Sequence, residues 1–279
     1  MAYGSPSSPE DIRPYLEDIR EGRPVSDAAV EELTERYRRI GGRSPLDEIT
    51  ELQRAALERE LGLPVHVGMK HAEPRIAAAV EAAQANGAKR LVGVVLAPHY
   101  SALSIAGYRE RLEAALNGRV ELRFVESWHD HGPYLDVLAE RVRGTDAHVI
   151  FTAHSLPERI LAVGDPYRDQ LLETSRLIAE RAGIENWSFA FQSASETGEP
   201  WLGPDILEEL DELHARGVRK VLVAPVGFVS DHLEILWDLD VEARERAAEL
   251  GLELERIESL NDDPAFIRAL AALVRSTLG

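Results

Sequence analysis

The sequence predicts an α/β protein in which parallel β-sheets are covered by helices on both faces. Short apolar runs alternate along the 279-residue chain with longer amphipathic runs, a pattern typical of strands joined by helical crossovers. The apolar runs are rich in Val, Ile and Leu and alternate little with polar residues. Such runs are expected for strands that are buried on both faces of a sheet.

The apolar runs predict the strands, and the amphipathic runs predict the helices between them. The predicted strands are 64–69, 90–97, 120–125, 147–153, 187–192, 219–226 and 252–257. The predicted helices are 9–21, 27–40, 46–61, 73–87, 103–117, 133–143, 167–182, 203–216, 231–250 and 264–278.

The strands fall into two similar series, which predicts two Rossmann-like lobes. The strand 90–97 ends in APHY and the strand 219–226 ends in APVG, with a further strand and helix on either side of each. We place the N-terminal lobe at 1–144 and the C-terminal lobe at 145–260, and we expect a last helix within 261–279 to pack back on the first lobe.

The start of the chain resembles the end of a strand. MAYGSP at 1–6 is parallel in pattern to IFTAHSLP at 150–157, where the predicted strand 147–153 runs into a turn. The first strand is therefore expected to be very short or truncated at its start.

Composition excludes several classes of protein. With 31 basic and 49 acidic residues and a formal net charge of −18, the chain is a poor candidate for binding nucleic acid or anionic membranes. No apolar run approaches the roughly 18 residues of a membrane span, and the start lacks the pattern of a signal peptide. The absence of cysteine excludes disulfides and cysteine-ligated iron–sulfur clusters. We expect a cytoplasmic monomer.

Candidate chemistry lies where the predicted parallel strands end, because ligands bind beyond the carboxyl ends of strands in open sheets. His154 follows the strand 147–153, and Glu234 lies shortly after the strand 219–226. A nitrogen and a carboxylate ligand from neighbouring strand ends suit a divalent first-row metal such as Fe²⁺, although a single histidine is more often structural.

The segment GFVSDHLEILWDLD at 227–240 carries several carboxylates among apolar residues. On a helix, Glu234, Asp238 and Glu242 share one face and repel one another. One reading is a solvated stripe with Asp231 as N-cap and Glu234 closing a capping box. The other is that a cation, or protons shared along the row, relieves the repulsion.

The common sequence motifs of nucleotide-binding proteins, zinc proteases and serine hydrolases are absent. No GxGxxG motif or P-loop is present, so nucleotide binding is not indicated. HExxH and GxSxG motifs are also absent, and His129 and His131, two residues apart, are weak evidence of a metal site.

Three blocks of sequence closely resemble ferrochelatases: FTAHSLPERI…GDPYRDQL (151–171), PWLGPDI (200–206) and PVGFVSDHLEILWDLDVEA (225–243). MAYGSP, IGGRSPL, GMKHAEP, VLAPHYS and VESWHD are similar to the shorter enzymes of Gram-positive bacteria. The resemblance implies the chelatase fold and insertion of Fe²⁺ into a porphyrin, coproporphyrin III in the Gram-positive type, to give coprohaem. No cofactor is expected beyond the substrate Fe²⁺.

The resemblance also implies roles for particular residues. The family's invariant His and Glu fall on His154 and Glu234, which would be metal ligands or acceptors of the pyrrole protons. Contacts to the porphyrin fall on Tyr3, Arg20, Arg36, Tyr37, Ser44 and His129. An outer metal site or proton path, which could hold an accessory divalent cation, falls on Asp238 and Glu242.

The chain departs from the family pattern at several points. His129 stands where a tyrosine is usual, Glu21 stands where relatives carry a second arginine beside Arg20, and the upstream half of the first strand is missing. The alternatives are a protoporphyrin IX ferrochelatase, a cobalt or nickel chelatase for another tetrapyrrole, and a non-catalytic porphyrin carrier on the same fold. Porphyrin and Fe²⁺ are the expected partners, with a transient contact to the next enzyme of the haem pathway.

Overall fold

Two parallel sheets organise the structure, a computed structural model that describes residues 1–116, 118, 120–195 and 198–279. The N-terminal sheet contains β1 (Arg90–Val94) and β2 (Glu121–Val125). The C-terminal sheet contains β3 (His148–His154), β4 (Trp187–Gln192), β5 (Lys220–Ala224) and β6 (Glu253–Arg256), in the order β4-β3-β5-β6. The predicted α/β class with parallel sheets is confirmed.

Residues 1–3 extend the N-terminal sheet beyond the end of β1. The nitrogen of Met1 donates to Val94 O at 2.7 Å, and Ala2 N donates to Gly68 O at 3.2 Å. The spatial order is therefore β2-β1-(1–3)-(68–71), which matches the order β6-β5-β3-β4 of the other sheet. The two series of strands seen in the sequence thus have the same topology.

The predicted strand at 64–69 is wrong. Met69 alone forms isolated bridges, with Ala2 and with Arg75, and no ladder runs along 64–68. The reason is the short partner: residues 1–3 reach only the end of this segment, so its earlier residues have no strand beside them.

Helices cover the sheets. In the N-terminal half they are α1 (Ile12–Ile19, after a 3₁₀ turn at Pro9–Asp11), α2 (Asp27–Arg39), α3 (Leu46–Leu61), α4 (Ile76–Ala85), α5 (Ile105–Ala115) and α6 (Gly132–Val142). They continue with α7 (Arg159–Ala162), α8 (Tyr167–Ala182), α9 (Ile206–Ala215), a π-helix (Ile235–Ala243), α10 (Arg244–Leu250) and α11 (Pro264–Leu278). Most helices begin and end within three residues of the predicted positions. Residue 117, the last of the predicted helix 103–117, lies outside the described residues.

The predicted helix at 231–250 is confirmed from residue 233 onward, but residues 235–243 form a π-helix rather than an α-helix. The capping box that one reading placed at Asp231 and Glu234 is not formed. The carboxylate of Asp231 instead accepts from Ser259 Oγ at 2.6 Å and from Asn261 Nδ2 at 2.9 Å. Because these partners come from the segment after β6, sequence spacing within the helix could not reveal them.

The hydrophobic core surrounds the central strand β3, whose Val149, Ile150 and Phe151 are fully buried. The last helix, α11, packs against α3 and α6 and also contacts β1 and β2. Its Phe266 stacks on Trp128 with ring centroids 6.2 Å apart. The division of the chain at 144 and 260 stays a prediction.

Among the described residues, no helix is both long and apolar enough to cross a membrane.

Close packing after β5 leads to the first prediction. A Cβ at Gly227 would lie 2.4 Å from Ala153 Cβ and 2.8 Å from Ala153 Cα, so Gly227→Ala must push β3 and the following segment apart. We expect a loss of about 1–3 kcal/mol in the free energy of unfolding, measured with urea. Gly132→Ala is the matched control, because a Cβ there meets nothing within 4 Å. An equal effect of the two substitutions would contradict the packing account.

Candidate active site

An imidazole and a carboxylate meet where β3 ends and the segment after β5 begins. His154 Nε2 lies 3.5 Å from Glu234 Oε1. The two side chains are 31% and 38% exposed, so the pair is open to solvent rather than closed in the core. The contact predicted from the strand ends is present.

Neighbouring groups fix the orientation of the His154 side chain. Its Nδ1 donates to the carbonyl oxygen of Ser155, which leaves Nε2 directed at Glu234. The hydroxyl of Tyr167, from α8, donates to the carbonyl oxygen of His154 at 3.0 Å. The ring of Trp201 lies 6.4 Å from the imidazole. The strand end and these neighbours therefore hold the imidazole with Nε2 toward Glu234.

Glu234 has a second imidazole beside it. His232 Nε2 lies 3.4 Å from Glu234 Oε2, and Gln192 Nε2 donates to the backbone carbonyl of Glu234 at 3.2 Å. Burial raises the pKa of Glu234, but the adjacent His154 and His232 lower it, and the net pKa is well below the usual range.

Electrostatics make the central pair an ion pair in the free protein. Burial lowers the pKa of His154, but the charge of Glu234 and a hydrogen bond to it raise the pKa more, to about 9. At neutral pH, His154 therefore carries a proton for as long as Glu234 is its counter-charge.

Asp238 lies next along the carboxylate row and is only 5% exposed. It accepts from the hydroxyl of Ser193 and from Gln192 Nε2 at 3.3 Å. Burial, together with the charge of Glu234, raises the pKa of Asp238 to about 7. This carboxyl can therefore bind and release a proton near neutral pH.

Glu242 continues the row toward solvent. Burial raises its pKa, and the guanidinium of Arg36 opposes that shift. Burial thus raises the pKa of Asp238 and of Glu242, whereas the neighbouring histidines lower the pKa of Glu234. A row in which carboxyls can be neutral avoids part of the repulsion expected from the sequence.

A guanidinium that is only 11% exposed, that of Arg256, anchors the π-helix. Arg256 binds both carboxylate oxygens of Asp240, at 3.0 and 2.8 Å, and lies 3.3 Å from Asp231. Asp231 precedes the π-helix and Asp240 lies within it, so one cation ties the two together. Such bidentate contacts fix geometry as well as charge.

The charge of Glu234 acts on Tyr3 and Tyr37, the two tyrosines that are predicted to contact the porphyrin. Burial, followed by that charge, raises the pKa of Tyr3 and of Tyr37 above the usual range. Tyr3 is 40% exposed, with its ring 4.6 Å from that of His71, whereas Tyr37 is buried. Tyr3 thus offers an accessible phenol on the N-terminal side of the site.

Three further residues are predicted to contact the porphyrin, namely Arg36, Ser44 and Arg20, and the structure gives less direct evidence for them. Arg36 lies over the ring of Trp237 at 5.6 Å and binds Glu32 at 2.7 Å, and Ser44 Oγ accepts from Leu46 N at 3.2 Å. The exposed Arg20 ends α1.

His129 is occupied by protein partners. Its Nδ1 lies 2.8 Å from Ser127 Oγ, and its Nε2 lies 3.1 Å from Glu173 Oε2. With both ring nitrogens engaged, His129 can offer a bound molecule little beyond its ring face, and its role as a porphyrin contact stays a prediction.

Sequence reasoning missed several residues of the site. Gln192 was assigned to a strand and given no role, although a polar residue that ends a buried strand beside His154 was a usable signal. Tyr167 and Arg256 lie far from the carboxylate row in sequence, and no spacing indicated them.

Over the described ranges, no group of three or more histidine or acidic side chains is arranged to hold a metal ion. The role of His154 and Glu234 as ligands to a metal that passes through stays a prediction. A resident cation at Asp238 and Glu242 stays a prediction.

Comparisons with known proteins agree with the sequence motifs. The family model described as Ferrochelatase matches residues 1–278. The chain is 44% identical over 294 residues to the "Ferrochelatase" of Deinococcus radiodurans, covering 98% of this chain and 93% of that protein. It is 42% identical over 299 residues to the "Coproporphyrin III ferrochelatase" of Geobacillus thermodenitrificans, covering 100% and 94%.

A solved structure supports the fold. SirB from Bacillus subtilis with Fe³⁺ superposes with a TM-score of 0.63 at 16% identity, covering 82% of this chain and 88% of that chain.

The buried carboxyl of Asp238 leads to a prediction about stability and pH. Its folded pKa of about 7 lies above the roughly 3.9 of an unfolded aspartate, so the folded state holds this proton more tightly. Its contribution to stability is therefore lost as pH rises from about 4 to 7. Between pH 5 and 8, the free energy of unfolding should fall by about 2–3 kcal/mol more in the wild type than in Asp238→Asn.

Urea unfolding at several pH values measures this difference. Asp146→Asn is the control, because it removes one carboxylate from a side chain that is 81% exposed. If the difference in unfolding free energy between the wild type and Asp238→Asn does not change with pH, the raised pKa of Asp238 is contradicted.

Proposed function

The chain belongs to the ferrochelatase family of metal-inserting enzymes, and we propose that it inserts Fe²⁺ into coproporphyrin III in haem biosynthesis. The observation that carries this proposal is the solvent-accessible pair formed by His154 and Glu234 at the strand ends. Relatives of similar identity named for coproporphyrin III support the choice of porphyrin.

Cations near the site favour a substrate with many carboxylates. Coproporphyrin III carries four carboxylates, and protoporphyrin IX carries two. Arg36 lies beside the carboxylate row, and Arg111 acts on the pKa of Tyr3, so each is close enough to the site for its charge to be felt. Arg20 is exposed at the end of α1 and free to turn toward a rim carboxylate. Guanidinium groups bind carboxylates through two parallel hydrogen bonds, which suits this task.

The ion pair explains how insertion and deprotonation can be coupled. Fe²⁺ bound at Glu234 neutralises the carboxylate that keeps the pKa of His154 high, so the imidazolium releases its proton. Neutral His154 can then accept a proton from a pyrrole nitrogen, as a general base. His154 thus changes from its protonated to its neutral form when Fe²⁺ binds at Glu234.

Removal of the protons released at His154 requires a path from the site to solvent. Asp238, with a pKa of about 7, can receive a proton and pass it on to Glu242 and then to solvent. Gln192 bonds both Asp238 and the backbone of Glu234, which keeps the first two carboxyls of the row in fixed relation. A cytoplasmic location, a monomeric state and a transient contact with the next enzyme of the pathway remain part of this proposal.

Replacing the imidazole tests the proposed chemistry. We expect His154→Ala to lower kcat for Fe²⁺ insertion into coproporphyrin III by about 10²-fold or more, because the proton acceptor is lost. His148→Ala is the matched control: His148 lies at the opposite end of β3, where it contacts Ser188 Oγ at 2.9 Å, and it should change kcat less than about twofold. Equal activity of the His154 variant and the wild type would remove the central residue from the proposal.

A steady-state comparison of two porphyrins tests the substrate. With Fe²⁺, kcat/KM should be at least about tenfold higher for coproporphyrin III than for protoporphyrin IX, since each additional charged hydrogen bond contributes about 1.5–3 kcal/mol. Equal values, or a preference for protoporphyrin IX, would contradict the choice of coproporphyrin III while leaving the ferrochelatase assignment intact.

A further inference from the structure

The helix α8 lies between β3 and β4 in the chain, and its side chains contact two loops of the other sheet. The β1 loop (98–102) comes after β1, and the β2 loop (126–129) comes after β2. Both follow the carboxyl ends of their strands, where ligands bind in open sheets. Trp128 N donates to Pro98 O at 2.9 Å, so a group that holds one loop also restrains the other.

A single carboxylate fastens the β1 loop to the start of α8. Asp165 Oδ2 accepts from Ser101 Oγ at 3.0 Å and from Ala102 N at 2.8 Å. Asp165 Oδ1 accepts from Tyr167 N, in the first turn of α8, at 3.0 Å. Hydrogen bonds to an ionised acceptor are the stronger kind. Asp165 therefore joins a loop of the N-terminal sheet to a helix that belongs to the C-terminal half of the chain.

Farther along, α8 binds both loops through uncharged side chains. Gln170 Oε1 accepts from Tyr100 N at 2.7 Å and lies 3.0 Å from Ser127 Oγ. One turn later, Thr174 Oγ1 donates to His129 O at 2.9 Å. Residues four apart share one face of a helix, so one face of α8 makes both contacts. This face holds the β2 loop, which carries His129, a predicted contact to the porphyrin.

The same helix also holds the histidine of the candidate active site. Tyr167, whose N–H is bonded by Asp165, donates its hydroxyl to His154 O at 3.0 Å. His154 and Glu234 themselves come from β3 and from the segment after β5, both in the C-terminal sheet. The start of α8 is therefore a direct connection between the β1 loop and the backbone of His154.

We propose that Asp165 is a positioning residue for the porphyrin, because it sets the spacing between the β1 and β2 loops and His154. This inference rests on the proposed function. The predicted contacts of the porphyrin include His129 on the N-terminal sheet and His154 on the C-terminal sheet, so its binding depends on that spacing. Fe²⁺ would meet only His154 and Glu234, whose contact does not involve either loop. Loss of Asp165 should therefore weaken the binding of the porphyrin and leave the binding of Fe²⁺ unchanged.

A role in capping α8 would explain only part of this geometry. The bond from Tyr167 N to Asp165 stabilises the first turn of the helix. The other two bonds of the carboxylate go to Ser101 and Ala102, which belong to the other sheet. A residue that only capped the helix would change the stability of the fold, but it would not act on one substrate and spare the other.

The test compares Asp165→Ala with the wild type in the full chain. We expect Kd for coproporphyrin III, measured by fluorescence titration, to rise about tenfold or more, because small displacements of a binding surface have large effects. At saturating porphyrin, KM for Fe²⁺ and kcat should change less than about threefold, and the pH profile of kcat should not move. Asp169→Ala is the matched control, because Asp169 lies on α8 with a side chain that is 80% exposed.

Two further variants separate positioning from a loss of folding. Asp165→Asn keeps one oxygen for Ser101 and Ala102, so it should return Kd to within about threefold of the wild type. Gln170→Ala removes the other acceptor that holds the β1 loop, and it should raise Kd for coproporphyrin III in the same selective way. It decides the question if Asp165→Ala does not fold.

The proposal is supported if these losses fall on the porphyrin alone. It is overturned if Kd is unchanged, if KM for Fe²⁺ rises by the same factor, if Asp165→Asn restores nothing, or if Asp169→Ala has an equal effect. A wild type that binds coproporphyrin III without inserting Fe²⁺ would contradict the proposed function, while the Kd values would still decide the role of Asp165. A wild type that does not bind coproporphyrin III would overturn both.

Discussion

The site depends on the meeting of one imidazole and one carboxylate from adjacent strand ends. Register makes this contact possible: Phe151 pairs with Ala224, and Gly227 N then donates to Thr152 O as the chain turns away from β5. The turn passes so close to Ala153 that only glycine fits. The 3.5 Å separation of His154 and Glu234 is thus a consequence of backbone packing, which side-chain chemistry then uses.

The carboxylates of the site are tolerated because each is balanced in a different way. Glu234 is balanced by imidazoles, Asp238 by proton uptake and donors on Gln192 and Ser193, and Asp240 by the guanidinium of Arg256. Asp238 and Asp240 both lie on the π-helix, a class of helix that is frequent at functional sites. Arg256 balances Asp240 separately, whereas the charge of Glu234 raises the pKa of Asp238.

Sequence reasoning predicted what depends on local pattern and strand order. The strands from 90 onward, nearly all helices and the His154–Glu234 contact follow from apolar periodicity and from the rule that parallel strands end at one edge. The strand at 64–69 was wrong because residues 1–3 pair only with its end, and the helix at 231–250 begins two residues late because Asp231 binds residues some thirty positions away. Contacts of that kind are set by tertiary structure, which periodicity does not encode.

The overall charge places a further constraint on how substrates reach the site. A net charge of −18 attracts Fe²⁺ but repels a porphyrin that carries several carboxylates. Screening limits this repulsion to about 8 Å at physiological ionic strength, so the outcome is decided by cations close to the site. Lys70 and Arg111 lie on the Tyr3 side, where both lower the pKa of His71, and Arg36 lies on the Glu242 side. Under the proposed function, the macrocycle therefore meets basic groups on two sides of the site, and these groups offset the repulsion from the net charge.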